Sequence, residues 1–221
     1  MIGILTYERP HRRSQDLIIN MAKKYGIAKL CVITLPWKEI KKTESIFPVE
    51  FQKPLNMTQR ELANFLYIPS FKAENPAFNH DVIDWFIIGG AQLLGEPFST
   101  NGKTLNVHPG VIDAIRGLDS FKRSLLYGYP IGATLHIINK ETDSGVILKE
   151  NSVWPEYYDT IHSLRMKLYN CEQELLLEAA DWAEKLKDNT RPYHTHNKSV
   201  FTNRMTHAEE CELINKRGGF R

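Results

Sequence analysis

Asn106, His108 and Asp143 are the polar residues of this chain whose types and spacing suit acid–base chemistry. Asn106 and His108 end an apolar run and stand two residues apart, so on a strand both side chains point to the same face. Asp143 lies in a loop between two further β-like runs, closed by Gly145. An amide donor, an imidazole and a carboxylate that converge on one crevice form an acid–base site. On these residues alone, an ordinary turn at a strand end is the alternative interpretation.

Alternating strands and helices surround these residues. Helical spacing predicts a helix from Ser14, as N-cap, to Gly26, and another from Asp119 to Gly128; Thr58 and Glu61 form a capping box for a third. Apolar runs predict strands at 2–6, 29–35, 84–88, 104–107, 131–138 and 145–149. This order predicts an α/β fold with a doubly wound, mostly parallel twisted sheet. Ligands of such sheets bind outside the carboxyl ends of the strands, where Asn106 and His108 stand.

Three regions are expected: a catalytic domain at 1–150, a long C-terminal helix at 151–190 and a polar tail at 191–221. The helical stripe between Tyr157 and Asp188 indicates either packing on its own domain or a homodimer seam. Packing is favoured because Leu176 and Leu177 widen the stripe. A mobile or surface tail is expected after Asn189. The tail contains His194, His196 and His207. His194 and His196 could bind a metal only in an extended segment, and no carboxylate or thiol accompanies this pair, so no metal site is expected.

The composition of the chain indicates which classes of protein are expected and which are not. The 221 residues, 42% hydrophobic and 24% charged, are typical of a globular domain, and a net charge of +2 gives no support to nucleic acid as a partner. No signal peptide or membrane span is predicted. Cys31, Cys171 and Cys211 form no CxxC pair, so free thiols in a reducing compartment are expected. A cytoplasmic location follows as the expectation.

Two ordered segments, LNVHPGVIDAIRG and GATLHIINKETDSG, resemble the N-terminal domain of the formyltransferase family. That family includes phosphoribosylglycinamide, methionyl-tRNA and sugar N-formyltransferases. The resemblance spans about residues 84–148, and its fold is a Rossmann-like formyltransferase domain. The residues that carry it are Asn106, His108, Pro109, Arg116, Gly117, Gly132, Thr134, His136, Asp143 and Gly145.

The resemblance implies a formyl transfer from N10-formyltetrahydrofolate, as co-substrate, to a primary amine. Asn106 and protonated His108 would stabilise the oxyanion of the tetrahedral intermediate. Asp143 would keep His108 charged and orient a water that carries the proton from the amine towards N10. His136, on a strand between Leu135 and Ile137, is interpreted as a structural histidine.

The resemblance also implies where the folate binds. Backbone groups of two loops would read the pterin, with leucines as its apolar wall; burial of those leucines in the core is the alternative. The matching positions are Gln92, Leu93 and Leu94 in one loop and Ile138, Asn139, Lys140 and Glu141 in the other.

The acceptor amine is indicated by departures from the best-known members. The loop Tyr7-Glu8-Arg9-Pro10-His11-Arg12-Arg13 has no glycine, so it lacks the phosphate cradle of the glycinamide-ribonucleotide enzyme. The chain also stops before the β-barrel domain of the tRNA enzyme, and Val111-Ile112-Asp113 replaces a Leu-Leu-Pro run.

The sugar branch, which acts on nucleotide-linked amino sugars, is therefore the first hypothesis. Another small amine such as glycinamide ribonucleotide, or an inactive folate-binding relative, is the alternative. Arg9, Arg12 and Arg13 would hold a diphosphate, with a solvated loop as the alternative. Stacking on the acceptor, or packing of the long helix, is expected of Trp154, Tyr157 and Tyr158.

Overall fold

The structure is a computed structural model that describes residues 1–39, 45–46, 53–75, 78–187 and 199–216. The predicted positions His194 and His196, and part of the irregular stretch 36–80, lie outside these ranges. The strands are β1 (Ile2–Tyr7), β2 (Leu30–Leu35), β3 (Ser70–Lys72), β4 (Trp85–Ile88), β5 (Thr104–His108), β6 (Ile115–Gly117), β7 (Gly132–Ile137), β8 (Val146–Ser152) and β9 (Val200–Thr202). The helices are α1 (Arg12–Tyr25), α2 (Gln59–Phe65), α3 (Ser120–Tyr127), α4 (Ile161–Lys187) and α5 (His207–Lys216), with 3-10 turns at Ile27–Lys29 and His80–Val82.

Seven strands form one sheet in the order β3-β2-β1-β4-β5-β7-β8. Every neighbouring pair is parallel except the two that involve β7, which runs antiparallel to both β5 and β8. The predicted α/β fold with a mostly parallel sheet is confirmed. All six predicted strands are present, with ends shifted by a few residues, whereas β3, β6 and β9 were not predicted.

Both faces of the sheet are buried, which explains the nearly continuous apolar runs of its strands. Along β1, Ile4 packs on one side with the apolar faces of the helices, and Leu5 packs on the other. That second face is covered, among the described residues, by side chains of connecting segments such as Phe78, Ile83 and Phe98. The helices therefore lie mainly on one face, and the other is closed by chain between β3 and β5.

The start of α1 differs from the prediction. The helix begins at Arg12 with His11 as its N-cap, so Ser14 lies within the first turn and is buried. Its hydroxyl is 2.8 Å from His11 Nδ1 and gives the ring a partner in place of a cap. The predicted end at Gly26 is confirmed, because the backbone there has a φ of 79°, which glycine adopts readily. The capping box of Thr58 and Glu61 is also confirmed.

The long helix α4 packs on its own domain, as the favoured interpretation predicted. It lies against α1 and the sheet strands, with Leu164, Leu168, Leu175 and Leu176 fully buried. Burial of each such side chain stabilises the fold by about 1.5–3 kcal/mol. A homodimer contact stays a prediction. None of the helices in the described ranges is long and apolar enough to cross a bilayer.

A buried ion triad joins α4 to α1. Glu172 is 2% exposed and lies between Arg165, at 2.7 Å, and Arg13, whose Nε is 3.6 Å away. Arg13 also donates through Nη2 to the Val107 carbonyl oxygen at 2.9 Å. Because Val107 stands between Asn106 and His108, the triad supports β5 from the side of the helices.

The segment predicted as a polar tail contains two elements that return to the domain. Strand β9 pairs in parallel with β6, and α5 follows it. Arg123 of α3 pairs with Glu209 at 2.6 Å, and Lys122 pairs with the buried Glu210. Their exposed polar faces explain why sequence periodicity did not reveal them.

Candidate active site

His108 ends β5 as a buried side chain, 4% exposed, held between two oxygen partners. Its Nδ1 lies 3.2 Å from Asp143 Oδ1, and its Nε2 lies 3.1 Å from Ser120 Oγ. The Ser120 hydroxyl donates its hydrogen to the Gly117 carbonyl at 2.8 Å. It therefore accepts from His108, so both ring nitrogens face acceptors. The imidazolium, which has two N–H donors, satisfies this arrangement.

Asp143 reaches His108 because its loop folds back along the sheet. Strand β7 is antiparallel to β5, and the loop after it begins where Ile138 N donates to Thr104 O, at the amino end of β5. By residue 143 the chain is at the carboxyl end, where Oδ2 accepts from Gly117 N at 3.0 Å. Burial raises the pKa of Asp143, but the hydrogen bond and charge of His108, together with His136 and the Gly117 N–H, leave that pKa below its ordinary value.

Asn106 is held by the residue directly across the sheet. It pairs in register with His136, whose Nε2 is 3.2 Å from Asn106 Nδ2. His136 Nδ1 lies 2.9 Å from the Ser144 carbonyl, so it carries the proton and leaves Nε2 as an acceptor. The structural role predicted for His136 agrees with these bonds. One N–H of the Asn106 amide is thus used for orientation, and the other is available to a ligand.

The imidazole of His108 fits beside residue 110 because that residue is glycine, which has no side chain. A Cβ built there would lie 2.8 Å from His108 Nε2 and 3.1 Å from Ser120 Cβ. Only glycine admits the ring in this position. The structure therefore brings together the three predicted residues, and adds Ser120 and Gly117 as their partners. Neither addition was predicted from sequence as a partner of the site, since a serine one position into a helix carries no distinctive signal.

The two loops predicted to hold the folate face each other. Lys140 Nζ lies 3.1 Å from Glu96 Oε1, which links the loop after β7 to the loop after β4. Leu93 is 84% exposed, while Leu94 and Ile138 pack partly on the same apolar cluster. The alternative interpretation was that these leucines are buried in the core. It is wrong for Leu93, and it is partly correct for Leu94.

Gln92 and Asn139, which were also predicted to line the folate site, make hydrogen bonds within the protein. Gln92 exchanges two hydrogen bonds with the backbone of Lys38, at 3.1 and 2.6 Å. Asn139 accepts from Glu141 N at 2.9 Å and donates to Ser144 Oγ at 3.1 Å. These bonds fix the loop that leads into Asp143.

The three predicted arginines differ in their surroundings. The Arg9 guanidinium lies 3.6 Å from the ring centroid of Trp37, a residue that the sequence analysis did not single out. Arg12 pairs with Asp16 at 2.7 Å. Arg13 belongs to the buried triad with Glu172 and contacts the back of β5. These contacts give Arg13 a structural role, in contrast to the phosphate contact expected from the sequence.

The rings of His11 and Tyr7 pack against each other at the end of β1, with their centroids 5.1 Å apart. Tyr7 donates to the Ala91 carbonyl at 2.7 Å, and its ring meets Trp37 edge to face. Burial first, and then the charges of Arg13 and Arg9, lower the pKa of His11 to about 4. Because His11 is neutral at pH 7, it adds no positive charge beside Arg9 and Arg13.

The predicted aromatic residues of the segment before α4 are exposed. The exposed fractions of Trp154, Tyr157 and Tyr158 are 80%, 102% and 76%. The alternative that they pack the long helix on the sheet is wrong, and contact with an acceptor stays a prediction. Within the described ranges, no three histidine, cysteine or acidic side chains are grouped as metal ligands.

Fold and site together define an α/β domain with a His–Asp contact and an oriented amide at the carboxyl end of a central strand, an arrangement suited to acid–base chemistry. The formyl transferase family model matches residues 40–180, which is more than half of the chain. The chain belongs to the formyl transferase family.

Relatives and solved structures agree with this assignment. Phosphoribosylglycinamide formyltransferase of Bacillus subtilis is 24% identical over 132 residues, covering 52% of this chain and 68% of that protein. The Mycobacterium tuberculosis protein of the same name is 33% identical over 94 residues, covering 41% of this chain and 44% of its own length. The chain thus spans less than half of that second relative.

Two solved structures share the fold. A sugar N-formyltransferase from Shewanella sp FDAARGOS_354 superimposes with a TM-score of 0.62 at 16% identity, covering 97% of this chain and 87% of that one. The N-formyltransferase from Helicobacter canadensis, in complex with folinic acid and dTDP-3-aminofucose, gives 0.62 at 16% identity, covering 96% and 78%. At this identity the likeness shows the fold alone.

Proposed function

We propose that the chain transfers a formyl group from N10-formyltetrahydrofolate to the amino group of a nucleotide-linked amino sugar. The observation that carries the proposal is the contact of His108 with Asp143, beside an oriented Asn106 amide. This site lies in a chain of the formyl transferase family. The folate is a co-substrate, and no metal is required by the chemistry.

Each reacting group has its own role in the proposed formyl transfer. The neutral acceptor amine attacks the formyl carbon, a C–N bond forms, and the carbonyl oxygen becomes an oxyanion. Asn106 donates its second N–H to that oxyanion, and the positive charge of His108 stabilises it. The bond from carbon to N10 then breaks. The proton lost by the amine reaches N10 through a water that the Asp143 carboxylate orients.

The resting contacts refine the role expected for His108. Both of its N–H groups are engaged, one by Asp143 and one by Ser120, so in this arrangement it acts on the oxyanion through its charge. Direct donation from Nε2 requires that the ring leave Ser120 Oγ when substrates bind. Asn106 is therefore the primary direct donor in the proposed mechanism.

The folate is proposed to bind between the loops around Leu93 and Asn139. Two features support this placement: the exposed ion pair of Lys140 with Glu96, which shows that the loops lie side by side, and the exposure of Leu93, which offers an apolar surface to the pterin. The Asp143 loop continues directly from this region, so the formyl group would be delivered beside Asn106.

The acceptor diphosphate is proposed to bind at Arg9 and Arg12. Stacking on Trp37 uses the flat face of the Arg9 guanidinium and leaves its N–H edge for bidentate contacts with phosphate. The solved relative from H. canadensis holds a nucleotide-linked amino sugar. Glycinamide ribonucleotide is the second candidate, because the B. subtilis relative carries that name.

An acceptor panel tests the proposal. The purified chain is incubated with N10-formyltetrahydrofolate and, separately, with dTDP-linked amino sugars, UDP-linked amino sugars and glycinamide ribonucleotide. Mass spectrometry then looks for acceptor that has gained one formyl group, with His108→Ala as the inactive control. Formylation of glycinamide ribonucleotide alone would replace the sugar acceptor, and no formylation of any amine would refute the function.

A further inference from the structure

The C-terminal segment 199–216 lies beyond the part of the chain that matches the family model, yet it contacts the turn that holds the reacting centre. In the register of β6 and β9, Gly117 pairs with Thr202. The Thr202 hydroxyl shares its single hydrogen between the carbonyls of Arg116, at 3.0 Å, and Leu118, at 2.8 Å. Leu118 N donates back to the Thr202 carbonyl at 2.9 Å. Thr202 thus fixes the peptide groups on both sides of Gly117.

Gly117 in turn contacts both partners of His108. Its N–H donates to Asp143 Oδ2 at 3.0 Å, and its carbonyl accepts from Ser120 Oγ at 2.8 Å. Those two side chains hold the opposite nitrogens of the imidazole. The φ of Gly117 is 97°, and a Cβ there would collide with the Thr202 carbonyl. One glycine residue therefore contacts both groups that hold the ring nitrogens of His108.

A second set of contacts keeps β9 against this turn. The Arg116 side chain donates to the Thr142 carbonyl at 2.9 Å, next to Asp143, and its guanidinium lies 5.3 Å from the Phe201 ring. Asp119, predicted as the cap of α3, makes no side-chain capping bond and instead accepts from Met205 N at 2.9 Å. The segment 201–205 thus holds the whole turn 116–119.

We infer that Thr202 is a positioning residue for formyl transfer, acting through Gly117 on the contacts of His108 with Asp143 and Ser120. The inference rests on the proposed function of that site. Thr202 itself touches neither His108 nor Asp143 within the hydrogen bonds of the described residues. Its effect should therefore appear in turnover and in its pH dependence, and the affinities for both substrates should be nearly unchanged.

The test compares Thr202→Val, which removes the hydroxyl and keeps the shape, with Thr202→Ser, which restores the hydroxyl. For Thr202→Val we expect kcat to fall about 10- to 100-fold, as for a small misplacement of reacting groups, with both KM values nearly unchanged. Its pH–rate profile should differ from that of the wild type, because the contacts of Asp143 and Ser120 with the imidazole are altered. Thr202→Ser should recover most of the turnover and the original profile.

Thr34→Val is the matched control. Thr34 is buried on β2, three strands from β5, and its hydroxyl likewise donates to a backbone carbonyl, that of Phe71 at 3.3 Å. It should lose comparable stability with unchanged kcat and pH profile. Thermal unfolding of all three variants shows whether each is folded. Equal loss of kcat in Thr34→Val, or an unchanged pH profile in folded Thr202→Val, would overturn the positioning role.

Side-chain 15N NMR of the histidines separates this inference from the proposed function. The His108 signals are assigned by their loss in His108→Gln, and their shifts report the hydrogen bonds at Nδ1 and Nε2. Changed shifts in Thr202→Val, absent in Thr34→Val, support positioning even if the wild-type chain formylates no amine in the panel. Unchanged His108 signals in Thr202→Val would refute positioning whatever the activity.

Discussion

Asp143→Asn removes one charge from the reacting centre and almost no volume. The backbone of Asp143 has a φ of 47°, a left-handed conformation that asparagine tolerates, so the loop should keep its shape. If the new amide oxygen accepts from Gly117 N, its NH2 group faces His108 Nδ1. That nitrogen must then accept a hydrogen bond, which forces the ring into its neutral form.

The expected loss of kcat in Asp143→Asn follows from the contact between His108 and Asp143. Two unit charges at the 3.2 Å between Nδ1 and Oδ1 attract by about 5 kcal/mol at an effective dielectric constant of about 20. Removing one member of a buried pair typically costs about 3–5 kcal/mol. If about 3–4 kcal/mol of this is lost from the transition state, kcat falls about 10²–10³-fold.

The assay measures kcat and both KM values from about pH 5 to about pH 9. Asp143→Asn should be slow throughout this range, and its pH–rate profile should differ in shape from that of the wild type, because the carboxylate that contacts the imidazole is absent. Asp119→Asn is the matched control, since Asp119 also has a positive φ and binds a backbone N–H but does not contact His108. A folded Asp143→Asn enzyme with wild-type turnover and an unchanged profile would refute the assigned role.

Three further predictions concern the hydrogen bond from Asn106 to the oxyanion, the binding of the acceptor substrate and the stability of the fold at low pH. Asn106→Ala should lower kcat about 10²–10³-fold with nearly unchanged folate binding, measured by titration with a folate analogue; a parallel loss of binding would remove Asn106 from oxyanion stabilisation. Arg9→Gln and Arg12→Gln should each raise the acceptor KM about tenfold at low salt, and less at high salt, while the folate KM stays constant. Equal effects on both substrates would contradict a phosphate contact. Because the pKa of His11 is lowered from 6.5 to about 4, the unfolded chain binds more protons in this interval. The melting temperature should therefore fall between about pH 6.5 and about pH 4, less steeply in His11→Asn, and an identical fall in both proteins would exclude His11 as the cause.

The sequence predicted the sheet well because its signals are local. Apolar runs bounded by polar turns locate six strands within a few residues. Asn106 and His108 share a face because side chains alternate along a strand. The spacing of Leu164, Leu168 and Leu175 likewise located α4 and its buried face.

Contacts set by the long-range path of the chain were not predictable in this way. The return of the Asp143 loop along β5 depends on the reversed direction of β7, which no local pattern states. Ser120 and Gly117 acquire roles only because α3 begins beside His108. Strand β9 has three residues, two of them exposed, so it carries too few apolar positions to reveal a periodicity.

The arginines show the same limit. Arg12 and Arg13 are adjacent in sequence, and this adjacency predicted a single basic cluster. On a helix, neighbouring residues point about 100° apart, so one can stay at the surface while the other turns towards the domain. Arg13 meets Glu172 of a helix that is distant in sequence, and that partner decided its role.

The triad of Arg13, Glu172 and Arg165 has a consequence for sequence variation within the family. The buried Glu172 carboxylate contacts two cations, so its loss would remove the anion that two partly buried guanidiniums share, which is unfavourable. Substitutions at these positions should therefore be correlated: a relative with an apolar residue at the position of Glu172 should also have lost the cations at 13 and 165. Exchange of all three for well-packed apolar side chains is the substitution path that keeps α1 and α4 together behind β5.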